Sequence, residues 1–234
     1  MKIIGKNGVK ELLASDKSVK KIMIDASKKD ALRDIIEGAR AKKIMIDYVP
    51  RVALDREAEF HQGVVAIVDD YKYATLQDVL EKKGSRHFVL ILDGVEDPQN
   101  LGAIIRVAEC MGVDGIVIGK HRACGVTDAV VRASAGAISL VKIARVNNIN
   151  DAIKELKEHG LWVYAVELGG EDITSADLSG DIAVVLGSEG KGVSVLTKKL
   201  CDKVVTMKMY GHVNSLNVSN ACAIALNEVR RHED

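Results

Sequence analysis

The chain reads as an α/β protein: a parallel sheet in its larger, C-terminal part and a small α/β domain ahead of it. Three observations predict this. From residue 88 onward short apolar runs alternate with helix-like segments, the pattern of a parallel sheet covered on both faces. The first of these runs, FVLILD (88–93), is continuously apolar, as in a strand buried on both sides. Near the N-terminus the hexapeptide KKIMID occurs at 20–25 and again at 42–47 with a helix-like stretch between the copies, which predicts a βαβ unit.

Between the two hexapeptides, Leu32, Ile35, Ile36 and Ala39 recur at helical spacing, and HQGVVAIVDD adds a strand at about 63–69. Two copies of a short strand fall short of a repeat protein, which stacks three or more units. Residues 1–70 are therefore expected to form a small α/β domain. The polar stretch YKYATLQDVLEKKGSRH, with Gly84 and Ser85, reads as a short helix and connector. It makes 71–85 a linker and 86–234 a second domain. In that domain, strands are expected at 115–119, 139–146, 161–167, 181–187 and 203–209. Helices are expected at 100–112, at 127–137, at 149–160 and at 193–201. Asn100 or a neighbour caps the first of these and Gly112 closes it. A last helix follows the Ser/Asn-rich stretch GHVNSLNVSN.

Composition narrows the classes. The 234 residues carry 33 Lys/Arg and 33 Asp/Glu, a balance that argues against a simple electrostatic nucleic-acid binder. The distribution is uneven, with 12 Lys/Arg against 6 Asp/Glu in the first 45 residues. Such a bias marks either a basic contact surface or a solvated helix face. No stretch approaches the ~20 apolar residues of a membrane span, and the opening MKIIGKNGVKELLASDK lacks a signal peptide's apolar core. No membrane partner is expected. Cys110, Cys124, Cys201 and Cys222 show no C-x-x-C spacing, which suggests neither a metal site nor a disulfide framework. Four scattered thiols fit a reducing, cytoplasmic setting.

Ligands of parallel sheets sit beyond the carboxyl ends of the strands, and three unusual loops follow strand ends. The first, DGVEDPQNLGAIIR, gathers Asp93, Glu96 and Asp97 before Pro98 and places Asn100 near a helix start. Arg106 follows in an apolar helical stretch, either snorkelling beside the core or pointing to the loop or a partner chain. The second loop, VVLGSEGKGV, is glycine-rich. Val185 stands where a P-loop needs its first glycine, and Gly192 follows Lys191 where Ser or Thr belongs. The G-x-G-x-x-G spacing of dinucleotide sites is reversed. Glu189 at its centre would repel a phosphate at a helix N-terminus and suits a cationic or hydroxyl-bearing ligand; the plainer account is a tight turn with a capping glutamate. The third loop sets Asn214, Ser215, Asn217, Ser219 and Asn220 before the last helix. One of them suffices as an N-cap. The surplus either surrounds a polar ligand or forms local turns.

Together, N-x-G-A-x-x-R in NLGAIIR, G-S-E-G-x-G in GSEGKG and S-L-N-V-S in SLNVS resemble the motifs of the SpoU/TrmH-type RNA ribose 2′-O-methyltransferases of the SPOUT class. The order and rough spacing also match, over about residues 86–231. GKNGVKELL and HQGVVAIV resemble, more loosely, the ribosomal-protein-like RNA-binding domain attached to the bacterial 23S rRNA guanosine enzymes of this family. One departure is Lys208, lying between Met207 and Met209 where the family often has proline. The resemblance implies a deep trefoil knot in the C-terminal domain, S-adenosylmethionine as methyl donor, RNA as substrate (23S rRNA, with tRNA the alternative) and a homodimer. It implies that Gly187, Met207 and Leu216 line the cofactor pocket. Asn100, Arg106, Glu189, Ser215 and Asn217 would form the catalytic constellation, with Ser219 and Asn220 beginning or capping the helix. In the family Arg106 is the proposed proton acceptor. A guanidinium rarely gives up its proton, so binding the adjacent phosphate and stabilising an alkoxide is an equal reading. A non-catalytic RNA-binding protein and a nucleotide-binding oxidoreductase are the rival classes.

Overall fold

In a computed structural model that describes residues 2–15, 18–82, 84–213 and 215–232, the chain forms two compact units, divided between Tyr71 and Lys72. Asn214, one of the Ser/Asn-rich stretch, lies outside the described residues.

The first unit runs β1 (Lys2–Ile4), α1 (Lys6–Ala14), β2 (Val19–Asp25), α2 (Arg33–Ala41), β3 (Met45–Val49), α3 (Arg51–Asp55) and β4 (Val64–Val68). Its sheet has the order β1-β4-β2-β3. β2 and β3 pair in parallel, as the repeated hexapeptide predicts, and β4 is antiparallel to both its neighbours. The two KKIMID copies are nevertheless used differently. The first is central, with Ile22 and Ile24 fully buried. In the second, Lys42 and Lys43 close α2, through Lys43 N–H to the Arg40 carbonyl (2.9 Å) and Ile44 N–H to the Ala39 carbonyl (2.9 Å). The strand therefore starts only at Met45, at a sheet edge, with Met45 exposed. Val9, Leu12, Ile35, Ile36 and Ala39 of the two long helices pack with Ile22, Ile24, Val64 and Ala66 as the core.

The second unit runs α4 (Leu76–Leu80), β5 (Phe88–Asp93), α5 (Pro98–Cys110), β6 (Gly115–Gly119), α6 (Asp128–Ala133), β7 (Lys142–Val146), α7 (Ile149–Glu158), β8 (Trp162–Asp172), β9 (Ile182–Gly187), α8 (Val195–Leu200), β10 (Lys203–Thr206) and α9 (Val218–Arg231). The sheet order is β10-β8-β9-β5-β6-β7, all parallel. Residues 88–92 and 182–186 are buried without interruption, as befits strands covered on both faces. Val89, Ile91, Val117, Ile153, Leu156, Val163 and Val185 form one core layer, while α9 packs on β9 and α5.

The short helix expected in the connector forms as α4, and it packs onto the second unit. Thr75 and Asp78 form a capping box on α4, Val79 is fully buried, and Ala74 bridges Ala144 in parallel beside β7. The helix expected over 127–137 stops at Ala133, because Ala135 (φ 49°) and Gly136 (φ 92°) turn left-handed before a short 3-10 turn.

Gly102, the glycine of the N-x-G-A stretch, has a packing reason. A Cβ there would overlap Ala133 Cβ and lie 2.9 Å from the Val130 carbonyl, so α5 and α6 touch only because it has none. Gly102→Ala is expected to lower stability by roughly 1–3 kcal/mol, the range for overpacking, read as a lower urea midpoint at unchanged m-value.

Candidate functional site

The site assembles beyond the carboxyl ends of β5, β8 and β9. After β5 the chain turns at Gly94 (φ 88°), and the Asp93 carboxylate accepts from the Ser194 N–H at 2.9 Å. Asp97, not Asn100, is the N-cap of α5. Its carboxylate accepts from Gln99 N–H (3.3 Å) and Asn100 N–H (3.2 Å), and Pro98 takes the first helical position, where a missing N–H costs nothing. The Asn100 side chain is thereby left for other work.

That work is a closed polar triangle. Asn100 Nδ2 donates to Glu189 Oε1 (2.9 Å). Asn217 Nδ2 donates to the same oxygen (2.7 Å) and to Asn100 Oδ1 (2.9 Å). Asn217 is also the N-cap of α9, where its Oδ1 accepts from Ser219 N–H (3.0 Å) and Ser219 Oγ–H (2.6 Å). The helix is thus capped by the residue expected to orient the ligand, and Ser219 and Asn220 lie inside it. One asparagine does both because its amide presents donors on one side and an acceptor on the other.

Glu189 does not cap a helix. Ser194 caps α8, its Oγ accepting from Thr197 N–H at 3.3 Å. Glu189 sits instead in a turn closed by Ser188 N–H to the Gly192 carbonyl (3.2 Å) and Gly192 N–H to the Ser188 carbonyl (2.9 Å), with Gly190 (φ 84°) and Gly192 (φ 64°) left-handed. A side chain on Gly187 would overlap the backbone of Gly192 and Val193. The glycines therefore fold the loop onto itself. Glu167, inside β8 just past its last pairing with β9 and unmarked by any sequence motif, fastens it: its carboxylate accepts from Val193 N–H (2.8 Å) and Leu168 N–H (3.0 Å).

Beside the triangle lies a cleft of about 560 Å³, within the range of small-molecule sites. Gly187, Met207 and Leu216, expected as cofactor contacts, line it, as do Glu189, Ser215 and Asn217. Leu186, Met209 and Val218 add apolar wall. Residues 207–209, expected as strand, lie beyond the end of β10. Asn100 adjoins the cleft through its two bonds. Arg106 does not line it: it is exposed on α5, six residues and about 240° around the helix from Asn100. Among the described residues no group of three His, Cys, Asp or Glu is placed to hold a metal. Burial pushes the Cys201 and Cys222 thiols up to about 12.

A parallel sheet with a polar-rimmed, apolar-walled cleft at its carboxyl edge defines a small-molecule-binding α/β protein. Comparison with known proteins then narrows the class. Residues 87–227 match the model of the SpoU rRNA Methylase family, and residues 2–74 match that of the RNA 2′-O ribose methyltransferase substrate-binding domain. YacO of Bacillus subtilis, described as a TrmH family tRNA/rRNA methyltransferase, is 44% identical over 98% of this chain and 94% of its own length. A protein of the same description from Staphylococcus haemolyticus is 41% identical over 99% of this chain and 96% of its own. The AdoMet-bound rRNA methyltransferase of Sinorhizobium meliloti superposes with a TM-score of 0.68 at 26% identity, covering 100% of this chain and 87% of that one. The A. aeolicus TrmH/SpoU tRNA-modifying enzyme superposes at 0.58 and 27% identity, covering 67% of this chain and 80% of its own. The chain belongs to the SpoU/TrmH family of RNA methyltransferases.

The triangle has a thermodynamic signature. Asn217→Asp keeps a good N-cap but removes the donor and sets a second carboxylate against Glu189, and it is expected to cost about 1–2 kcal/mol. Adding Glu189→Gln restores a donor–acceptor pair and should recover most of that loss. A double-mutant cycle from urea unfolding measures this coupling; strict additivity would mean the bond is not formed.

Proposed function

We propose that the chain transfers a methyl group from S-adenosylmethionine to a ribose 2′-OH in structured RNA, a guanosine of 23S rRNA being the preferred target. The observation that carries this reading is the Asn100–Glu189–Asn217 triangle at the rim of the cleft, built by the three motifs that resemble the family's. The choice of rRNA is supported by coverage. The rRNA methyltransferase of S. meliloti matches across this whole chain, whereas the tRNA-modifying enzyme of A. aeolicus covers about two thirds of it. No described helix is long and apolar enough to cross a membrane, and we place the reaction in the cytoplasm. A trefoil knot and a homodimer belong to the same proposal. Residues 187–192 with Met207, Met209, Ser215, Leu216 and Asn217, the loops such a knot would use, line the cleft.

The residues fit the cofactor. Met207, Met209, Leu186 and Leu216 offer an apolar surface for an adenine ring, and the absent Cβ at Gly187 keeps the backbone close. Lys208, in place of the family's frequent proline, extends toward Tyr210 with its ammonium 5.3 Å from the ring centroid. Bound there, S-adenosylmethionine supplies an electrophilic sulfonium methyl group. The chain's own task is to bring a weakly acidic hydroxyl into line with it. Holding both partners in register contributes several kcal/mol, with an upper range of about 7–11 kcal/mol. Glu189 accepts two amide protons on one oxygen, leaving its Oε2 for a hydroxyl or cationic group, and Ser215 offers a further hydroxyl at the rim.

Arg106 enters from elsewhere. Because it faces away from its own cleft, we assign it to the cleft of a second copy, where its guanidinium grips the phosphate beside the target ribose and stabilises developing negative charge on the oxygen. Arg106→Ala should remove most methyl transfer to RNA while leaving S-adenosylmethionine affinity, measured by calorimetry, within about two-fold. Mixing Arg106→Ala chains with Glu189→Ala chains should restore part of the activity, since one mixed site keeps both side chains. Activity of Arg106→Ala near the parental rate ends its assignment. Mixing without recovery removes the shared site.

The N-terminal unit, with its basic excess, is assigned RNA selection. A chain of residues 72–234 should keep cofactor binding and lose RNA affinity, with a shallower salt dependence than the parental slope of about 0.9 per phosphate contact on duplex-like targets. Equal affinity and slope for the two chains would leave the N-terminal unit without that role.

A further inference from the structure

In the N-terminal unit, β1 and β2 both run antiparallel to β4, and β3 runs parallel to β2. The carboxyl ends of β1, β2 and β3 and the amino end of β4 therefore share one edge. Four connections meet there: Gly5–Lys6, residues 26–32, Pro50–Arg51 and residues 60–63.

The last connection is held in an uncommon backbone. Phe60 (φ 55°), Gln62 (φ 54°) and Gly63 (φ 95°) are all left-handed, a conformation that a bulky residue keeps only where its surroundings enforce it. The enforcement is visible. His61 is buried, with Nε2 2.9 Å from Asp55 Oδ1 and Nδ1 accepting from the Gly63 N–H at 2.9 Å. Gln62 Oε1 accepts from Lys6 N–H at 3.1 Å, tying the loop to the start of α1. The consequence is a fixed aromatic ring in water. The protein has two phenylalanines; Phe88 is fully buried, while Phe60 is 90% exposed. A single exposed apolar residue needs no explanation, but one on a clamped left-handed turn is placed there at a conformational cost.

Its surroundings are cationic. The Lys28 side chain packs against Gly63, and Lys28 and Arg51 are the cations beside Asp25 at the end of β2. Lys29 lies 4.3 Å over the ring of Tyr48, itself 39% exposed at the end of β3. Among the described residues Lys6, Lys28 and Lys29 enter no ion pair, whereas Lys2, Lys10, Lys20 and Lys21 of the same unit are each held by a carboxylate at 2.5–3.2 Å. Asp30 is the carboxylate between residues 26 and 32, Asp55 ends α3 and Glu59 precedes Phe60; Asp55 is shared between His61 at 2.9 Å and Arg51 at 3.9 Å.

An exposed ring on the edge that also carries Lys6, Lys28 and Lys29, outside any ion pair among the described residues, suits unpaired nucleic acid: a base stacks on the ring and its phosphates meet the cations. Bases inside an A-form helix are out of reach of such a platform. We propose that this edge binds an unpaired stretch of RNA, with Phe60 as the platform on which one base stacks and Lys6, Lys28, Lys29 and Arg51 contacting the flanking phosphates. The inference rests on the RNA methyltransferase reading and adds which face, and which form of RNA, the N-terminal unit selects.

The test is fluorescence anisotropy of the full chain with two probes, a labelled RNA hairpin with an open loop and a fully paired RNA duplex. The parental chain should prefer the hairpin. Phe60→Ala should weaken hairpin binding roughly ten-fold or more at unchanged salt slope, and leave duplex binding and S-adenosylmethionine affinity as they were. Phe60→Trp should retain hairpin binding. Lys28→Ala with Lys29→Ala should instead make the salt dependence shallower, by about 0.7 per lost contact on single strands. Unchanged thermal melting of the exposed-site variants separates these effects from misfolding. Hairpin affinity of Phe60→Ala equal to the parental value overturns this inference alone. A parental chain that binds neither RNA overturns the RNA reading and this inference with it.

Discussion

The polar rim of the cleft depends on three side chains meeting. Asn100, Glu189 and Asn217 come from the first turn of α5, the turn after β9 and the entry to α9, the last two 89 and 117 residues beyond Asn100 along the chain. Closing so long a loop costs chain entropy, and the side-chain bonds alone are too weak to supply it. The strands do so. β9 lies directly beside β5 in register, Asp93 opposite Gly187, so the two loops leave the sheet next to each other. α9 then packs on both β9 and α5, bringing Asn217 to the junction. The triangle completes a geometry already set by apolar burial, and it converts that geometry into an ordered polar rim.

Glycine has a separate function at three positions in two motifs of this unit. At Gly102 it lets two helices touch, at Gly187 it lets the chain pass against its own backbone, and at Gly192 (φ 64°) it makes a left-handed turn beside the Glu167 carboxylate. Each is a matter of missing volume or of backbone conformation. The signature residues are therefore of two kinds: those that shape the cleft and those that present hydrogen-bonding groups to it. Asn217 belongs to both, since capping α9 fixes the amide that Glu189 accepts from.

The two units divide the physical tasks. The parallel sheet supplies a rigid edge from which short loops hold a small ligand, and the neighbouring α/β unit carries the chain's basic excess. Among the described residues its ion pairs engage Lys2, Lys10, Lys20 and Lys21 and leave out Lys6, Lys28 and Lys29. Net charge, zero for the chain as a whole, conceals this.

Much of the fold was legible in the sequence because apolar periodicity reports burial directly. The strands at 88–93 and 115–119 have the bounds their apolar runs predict, and the parallel pairing of the repeated hexapeptide follows from the helix between the copies. Gly187, Met207, Leu216, Glu189 and Ser215, which the family resemblance places at the site, line the cleft, and the loops that carry them follow strand ends, where ligands of such sheets bind. Other features needed the tertiary structure. Lys42 and Lys43 repeat Lys20 and Lys21 yet end a helix, since what precedes them is already hydrogen-bonded as one. The short helix at 76–80 is expected from the sequence, but the burial of Val79 against Gly115 is not. Asp97 caps α5 in place of Asn100, and Asn217 caps α9 in place of Ser219. Glu167 carries no local signal at all. Arg106 sits in a motif with Asn100 but turns away from it, because helical phase decides direction. A sequence states which groups are available and which surfaces must be buried. Which donor meets which acceptor is decided only when segments far apart in the chain are brought within about 3 Å, and no local pattern encodes that distance.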